Sequence, residues 1–373
     1  MNNLEENFDS ISPYADEEVS DVMKSLINDK KFHDSISAQI YPSIFKIIPG
    51  LSSFLFRKTF TKSFGNSKSI EQFQNNLAPF VEEMIKRTTD GFSYSGSENL
   101  SSLPTLYISN HRDIALDSLF LNFARFVEGQ KTVRIAIGDN LLDSGFFEKL
   151  MRLNKSFVVH RNIKGAKETL IKLGNLSRYI SHSLTADQES IWIAQSEGRA
   201  TDGHDFTDPA VLKMLYLASR KTLEINEWVK QVNLTPVSIS YEYDPLDITK
   251  AIGWEDGEEL SYEENNQRDL RELVKGIKEP KGRVHLHIGK SITEKINQIE
   301  DLAEVIDSEI ITNYKLWPSN YISAYSLDLT SKTENFEGKK KSFLFRFKSL
   351  DETTRKKVLR MYSAPFQNQK KRG

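Results

Sequence analysis

The chain has 373 residues, 50 Lys/Arg against 52 Asp/Glu, and no cysteine. The lack of cysteine excludes disulfides, thiol nucleophiles and thiolate-bound metals, while the length allows one large α/β domain with additions or two domains. The charge is unevenly spread: Lys339–Arg372 holds twelve Lys/Arg against Asp351 and Glu352, a net +10 that leaves −12 for the remainder.

In chain order, Met1–Glu18 is acidic and polar, unlike a secretory signal. Asp16–Ile27 places Val19, Val22, Met23, Leu26 and Ile27 at helical spacing. Ile40–Phe60 is richly apolar but interrupted by Pro42 and Pro49-Gly50. It fits either a helical hairpin lying in a membrane interface or a helix pair packed on the protein's own core. Ser69–Arg87 reads as a further amphipathic helix that Pro79 kinks or divides. No apolar run approaches the roughly 20 residues of a membrane span. These features predict a cytoplasmic protein, soluble or peripherally attached to a membrane.

From residue 92 the pattern alternates. Leu106–Ile108, Val133–Ile137, Ser156–Val159, Ser190–Ala194, Leu234–Tyr241 and Arg283–Ile288 read as strands. Between or after them, Asp117–Val127, Phe146–Leu153, Ala166–Leu184, Pro209–Arg220 and Ile299–Tyr314 read as helices. Such alternation predicts an α/β fold, a mostly parallel central sheet flanked by helices, with an N-terminal helical region. The expected division is 1–91 helical and possibly membrane-interfacial, 92–330 α/β, 331–337 a polar linker, and the remainder to 373 a basic amphipathic tail.

Four stretches carry chemistry. The first, Asn110-His111-Arg112-Asp113-Ile114-Ala115-Leu116-Asp117, lies where a strand gives way to a helix. Open α/β sheets gather their ligands at the carboxyl ends of strands. A neutral imidazole there takes a proton from a hydroxyl, and a nearby carboxylate fixes its tautomer. The plainer reading is a loop histidine with an aspartate capping the next helix. The second stretch runs from Ile137-Gly138-Asp139-Asn140-Leu141-Leu142 to Ser156–Arg161, where Arg161 offers a planar fork suited to phosphate. The third is Ile191–Asp205. In it Gly198 lets backbone come close to a ligand, Arg199 adds a second cation, and Glu197 holds the junction or accepts hydroxyls. The fourth, Leu234–Glu242, is a strand entered through Pro236.

Together and in this order, the four stretches resemble the blocks of the glycerophosphate acyltransferase superfamily over roughly residues 100–290. They are similar to its branch acting on glycerol 3-phosphate and dihydroxyacetone phosphate. The family's His-Arg-Ser-x-x-Asp is met by His111-Arg112-Asp113-Ile114-Ala115-Leu116-Asp117, and its Phe–Arg element by Phe157–Arg161. Its Phe-x-Glu-Gly-x-Arg-Ser is met by Ser196-Glu197-Gly198-Arg199, and its Pro-Val-x-x-x-Tyr-Glu by Pro236-Val237 and Tyr241-Glu242. Here five residues, not four, separate His111 from the aspartate that the downstream helix aligns. Asp117 is thus the expected orienting residue after a one-residue insertion, with Asp113 the alternative, and Arg199 follows Gly198 directly where the family often leaves a gap.

The resemblance implies an acyltransferase that moves a fatty acyl group from acyl-CoA or acyl carrier protein to the hydroxyl of glycerol 3-phosphate or lysophosphatidate, with no cofactor and no metal. His111 would be the base, oriented by Asp117. Arg161 and Arg199, with Arg112, would hold the acceptor's phosphate, Glu197, Gly198 and Pro236 would complete the substrate site, and amides at the start of the next helix would meet the oxyanion. An anionic membrane surface is the expected partner, nucleic acid is not. The aromatics of the basic tail, Phe343, Leu344, Phe345, Phe347 and then Val358–Phe366, would insert into that surface. The altered spacing leaves open a catalytically silent lipid-binding or scaffold protein on the same fold, and acylation of another lipid-linked hydroxyl or amine also fits.

Overall fold

The structure, a computed structural model, describes residues 8–139, 145–161, 163, 165–253, 262–331 and 336–372. Asn140-Leu141-Leu142 of the second stretch and residues 332–335 of the expected linker lie outside them.

Seven described strands form one sheet: β1 (Phe92–Ser95), β2 (Leu106–Ser109), β3 (Arg134–Gly138), β4 (Ser156–Val159), β5 (Ile191–Ala194), β6 (Thr235–Tyr241) and β7 (Val284–Ile288). Their spatial order is β1-β7-β6-β2-β5-β3-β4. From β6 to β4 neighbouring strands are parallel, as in Ser109↔Val237 and Tyr107↔Trp192. β7 runs antiparallel to β6 and pairs in parallel with β1. The expected fold class is therefore present. β1 is the strand that sequence reading did not find: four residues at a sheet edge give too little alternation to stand out.

Alternate residues of the central strands feed two cores, because strand side chains point to opposite faces. Leu106, Ile108, Ile191 and Ile193 enter one core. There they meet α8 (Ala166–Thr185), α9 (Pro209–Tyr216), α10 (Ile225–Gln231) and α13 (Ile299–Asn313). Tyr107, Trp192, Val237 and Ile239 enter the other, under α6 (Leu116–Val127) and the end of α5 (Ile70–Thr88). Both faces being covered, β2 and β6 read as continuous buried runs.

The N-terminal region folds as α1 (Asp16–Asn28), α2 (Lys30–Ile40), α3 (Pro42–Ile47), α4 (Pro49–Phe64) and α5. Pro42 and Pro49 open helices, where a missing N–H costs nothing, and Pro79 lies inside α5 without dividing it. Phe32, Phe56, Phe60, Phe64 and Phe73 form an aromatic core with α7 (Phe146–Leu153), against which Ile114 and Ala115 also pack. Ile40–Phe60 is divided between interior and surface. One face of α4 is interior, while Ile47 is 79% exposed and Phe54 61% exposed.

After β6 come α11 (Asp247–Gly253), α12 (Tyr262–Lys278), and, beyond α13, α14 (Pro318–Ser326), α15 (Glu337–Phe345) and α16 (Glu352–Arg372). The basic tail is not a free amphipathic segment. Phe343, Phe347, Val358, Leu359, Met361 and Tyr362 pack with Ala251 and Ile322 in a core of their own. Of the aromatics expected to enter a membrane, Phe345 remains exposed and Phe343 and Phe347 are interior.

Candidate active site

Strands β2 to β6 end at one edge of the sheet, and the loops that leave them hold the residues singled out from sequence. Asn110 begins the arrangement. Its side chain accepts from Ile239 N (2.8 Å) and donates to Ile239 O (2.9 Å), so a carboxamide continues the β2–β6 ladder past the last backbone pair. Asp205 takes the next amide, His111 N, at 3.2 Å. The histidine therefore leaves the sheet on a fixed backbone.

His111 Nδ1 lies 2.9 Å from Asp117 Oδ2. That same oxygen accepts from Arg112 N (2.7 Å) and Asp113 N (3.0 Å), and Oδ1 accepts from the Tyr241 hydroxyl (2.7 Å). Four donors around a buried carboxylate fix its direction. Burial, with Asp117 adding to it, pushes the Tyr241 hydroxyl well above its ordinary value, so it stays a donor. With Nδ1–H directed at Asp117, Nε2 keeps its lone pair.

Asp113 has a different task. Its Oδ1 accepts from Ala115 N and Leu116 N, both at 3.0 Å, which caps α6 and takes up the extra residue between His111 and Asp117. Its carboxyl is shifted upward by burial and by Asp117. The plain capping reading thus describes Asp113, and the orienting contact falls to Asp117. One expectation changes as a result. Of the amides at the start of the next helix, expected to meet the oxyanion, those of 115 and 116 already donate to Asp113, and the loop amides of 112 and 113 donate to Asp117.

The arginines differ sharply. Arg112 is buried, with Nε 2.8 Å from Asp205 Oδ2, Nη2 donating to Gly203 O (3.0 Å) and its guanidinium over the Tyr314 ring. It braces the loops and is not presented to a phosphate, contrary to expectation. Arg161 is partly exposed at the end of β4, its backbone N–H on Asp139 Oδ1 (3.1 Å) and its Nε 3.9 Å from Glu197. Glu197 itself is largely exposed. Gly198 has φ +81°, with open space where a Cβ would stand. Arg199 is mostly buried, with Nη2 2.5 Å from Glu272 Oε2 on α12. Pro236 lies early in β6, paired with Ile108 between β2 and β7, and the contact to the His111–Asp117 pair comes from Tyr241 at the far end of that strand.

Residues 91–222 match the family model Acyltransferase, a span that includes His111, Asp117, Arg161 and Arg199. The matched span is about a third of the chain. No curated protein matches it. Among solved structures it is similar to the 1-acyl-sn-glycerophosphate (LPA) acyltransferase PlsC from Thermotoga maritima, at 12% identity and TM-score 0.37 over 75% of this chain and 95% of that one.

The matched span draws support from residues beyond it. Lys250 Nζ donates to Arg112 O and to Asp244 Oδ2, both at 2.6 Å. Asp244 N donates to the Tyr362 hydroxyl, which donates to Asp247 Oδ2, where Arg346 also binds; each distance is 2.8 Å. Gly203 rests on Met361 O so closely that a Cβ would collide with it. The backbone of the histidine loop is thus tied to α11, α15 and α16. Asn110, Asp139, Asp205 and Tyr241 lay within the quoted stretches without a role, and Lys250 was not singled out. A polar side chain directly after a strand end is the signal that Asn110 offered; Asp205, eleven residues past the end of β5, offered no such signal. Lys250 offered none. No group of three or more His, Asp or Glu among the described residues is placed to hold a metal ion.

Proposed function

We propose that this acyltransferase moves a fatty acyl group from an acyl thioester, on coenzyme A or acyl carrier protein, to the hydroxyl of glycerol 3-phosphate or lysophosphatidate. The observation that carries the reading is the 2.9 Å contact between His111 and a carboxylate held by four donors, at the end of the central strand of an acyltransferase-family domain. His111 Nε2 takes the proton of the acceptor hydroxyl, whose oxygen attacks the thioester carbonyl. The tetrahedral intermediate expels the thiolate, which recovers the proton from the imidazolium. Asp117 orients the ring and stabilises its charged form. Arg161 and Arg199 flank the same loops and hold the acceptor's phosphate, while Glu197 and Gly198 line its approach.

Long acyl chains reside in membranes, and the reading includes peripheral attachment on the cytoplasmic side. Ile40, Ile47, Ile48, Leu51 and Phe54 are all exposed, and the aromatic core beneath them reaches Ile114 of the histidine loop. No helix among the described residues is long and apolar enough to cross a membrane. Lys46, Arg57, Lys58 and Lys62 supply charge for an anionic leaflet, at about 1 kcal/mol each near the surface.

The test is thiol release from palmitoyl-CoA or palmitoyl acyl carrier protein with anionic liposomes, with and without glycerol 3-phosphate or lysophosphatidate. Acceptor-dependent release that His111→Ala abolishes is expected. Asp117→Asn should lower kcat by about 10²–10⁴ and Asp113→Asn far less. Equal losses in the two variants would overturn the orienting role of Asp117. Absence of release with both acceptors and both carriers would sink the function.

A further inference from the structure

Helix α12 has no role in the sequence reading, yet it presses on the site at three points. Gly276 meets the Asp113 carboxylate so closely that a Cβ would collide with Oδ2. Leu273 is buried in the N-terminal aromatic core together with Ile114 and Ala115. Glu272 binds Arg199.

That last pair differs from the neighbouring one. Arg161 and Glu197 are separated by 3.9 Å with side chains 31% and 71% exposed, so water and salt screen them and the pair is weak. Arg199 and Glu272 are in direct contact with side chains 17% and 13% exposed. Arg199 Nη1 is buried with no hydrogen-bond partner among the described residues. Asp113 and Asp269 add negative potential at the same guanidinium. A guanidinium fork fits a carboxylate and a phosphate in the same way, through parallel N–H donors. Glu272 therefore offers Arg199 the class of group that a phosphate monoester would offer.

We propose that Glu272 determines acceptor specificity by occupying the Arg199 fork as an internal substitute for the acceptor's phosphate, which binds by displacing it. The inference rests on the acyl-acceptor reading above. A phosphate monoester brings up to two negative charges and three acceptor oxygens, against one charge and two oxygens for the carboxylate, so it displaces Glu272. A neutral polyol or a monocarboxylate does not. The unpaired Nη1 is the donor that gains a partner only when the larger anion arrives. The device filters acceptors by charge at the cost of part of the phosphate affinity.

The experiment is calorimetric binding of glycerol 3-phosphate to the full chain, with lysophosphatidate in neutral vesicles as a second arm and KM measured alongside. Glu272→Gln keeps the shape and removes the competing charge, and about a ten-fold tighter Kd is expected, with KM falling in parallel. Arg199→Gln should weaken binding, and adding Glu272→Gln to it should then have no effect. Glu300→Gln, at the exposed Lys213 pair, serves as the unaltered control. A melting curve like the parent's, and the same direction of change in Glu272→Ala, would show that the variant is folded. Unchanged or weaker binding in folded Glu272→Gln would overturn the proposal, as would an equal gain in the Arg199→Gln background. Because Kd is read without turnover, a parent that binds glycerol 3-phosphate but never acylates it sinks the acyl-transfer reading and leaves this result to stand or fall by itself.

Discussion

Residues 40–64 and 339–366 both set large apolar side chains among lysines and arginines, and both fit an amphipathic segment meeting a membrane. In the first, Phe56, Phe60 and Phe64 turn inward while Ile47, Ile48, Leu51 and Phe54 face out. In the second, Phe343, Phe347, Met361 and Tyr362 are all interior, and the basic residues are largely what is left outside. The first segment has several apolar positions for its neighbours α2 and α5 to cover and then a surplus. The second meets α11 and α14, whose Ala251 and Ile322 complete its core. Amphipathicity states that an apolar face exists. It does not state what covers that face, and here a distant part of the same chain covers one of the two.

The largest expected effect tests the interior segment. Phe347→Ala removes a fully buried ring and should cost about 3–5 kcal/mol of unfolding free energy, measured by denaturant titration. A cost below about 1 kcal/mol would return the segment to the surface. Next in size is the pair Ile47→Asp with Phe54→Asp. Liposome binding should fall at least ten-fold, since burying each such side chain is worth about 1.5–3 kcal/mol, while the melting temperature holds. If sedimentation with anionic vesicles is unaffected, the exposed face of α4 is not the membrane contact. Tyr362→Phe removes the hydroxyl that joins Asp244 N to Asp247, and about 1–2 kcal/mol of stability should go with it. The smallest effect belongs to neither segment. Burial pushes His285 down to about 4, with Lys315 and His287 adding to the shift. Its folded-state value lies below its unfolded one, so the stability is complete above about pH 6.5 and lost as pH falls toward 4. His285→Asn should flatten that acid limb by about 2–4 °C in thermal melts across pH 4–7.

Much of the architecture was legible because it depends on local pattern. β2 to β7 announce themselves as short apolar runs, and Asp117 announces itself through the apolar helix it opens. β1 is too short to register. α12 is largely charged, and its buried Leu273 and Gly276 act through shape, not periodicity. The arginines show the limit best. Arg112, Arg161 and Arg199 look equivalent in sequence, yet carboxylates 93, 36 and 73 positions away in the chain, Asp205, Glu197 and Glu272, meet them in three different ways. Long-range pairing of this kind leaves no trace in a local window. Lys250, which reaches Arg112 O across 138 positions, is a further case.

The contact between His204 and Asn368, beside the rest of Gly203 on Met361, spans 164 positions of the chain. Translation at about 5–20 residues per second places the two sides of that contact roughly 10–30 s apart. Late in that interval, once β7 has been made, a nascent chain has all seven strands and its histidine but lacks the brace behind Arg112. The order of synthesis thus delays completion of the loops' support until α16 has left the ribosome.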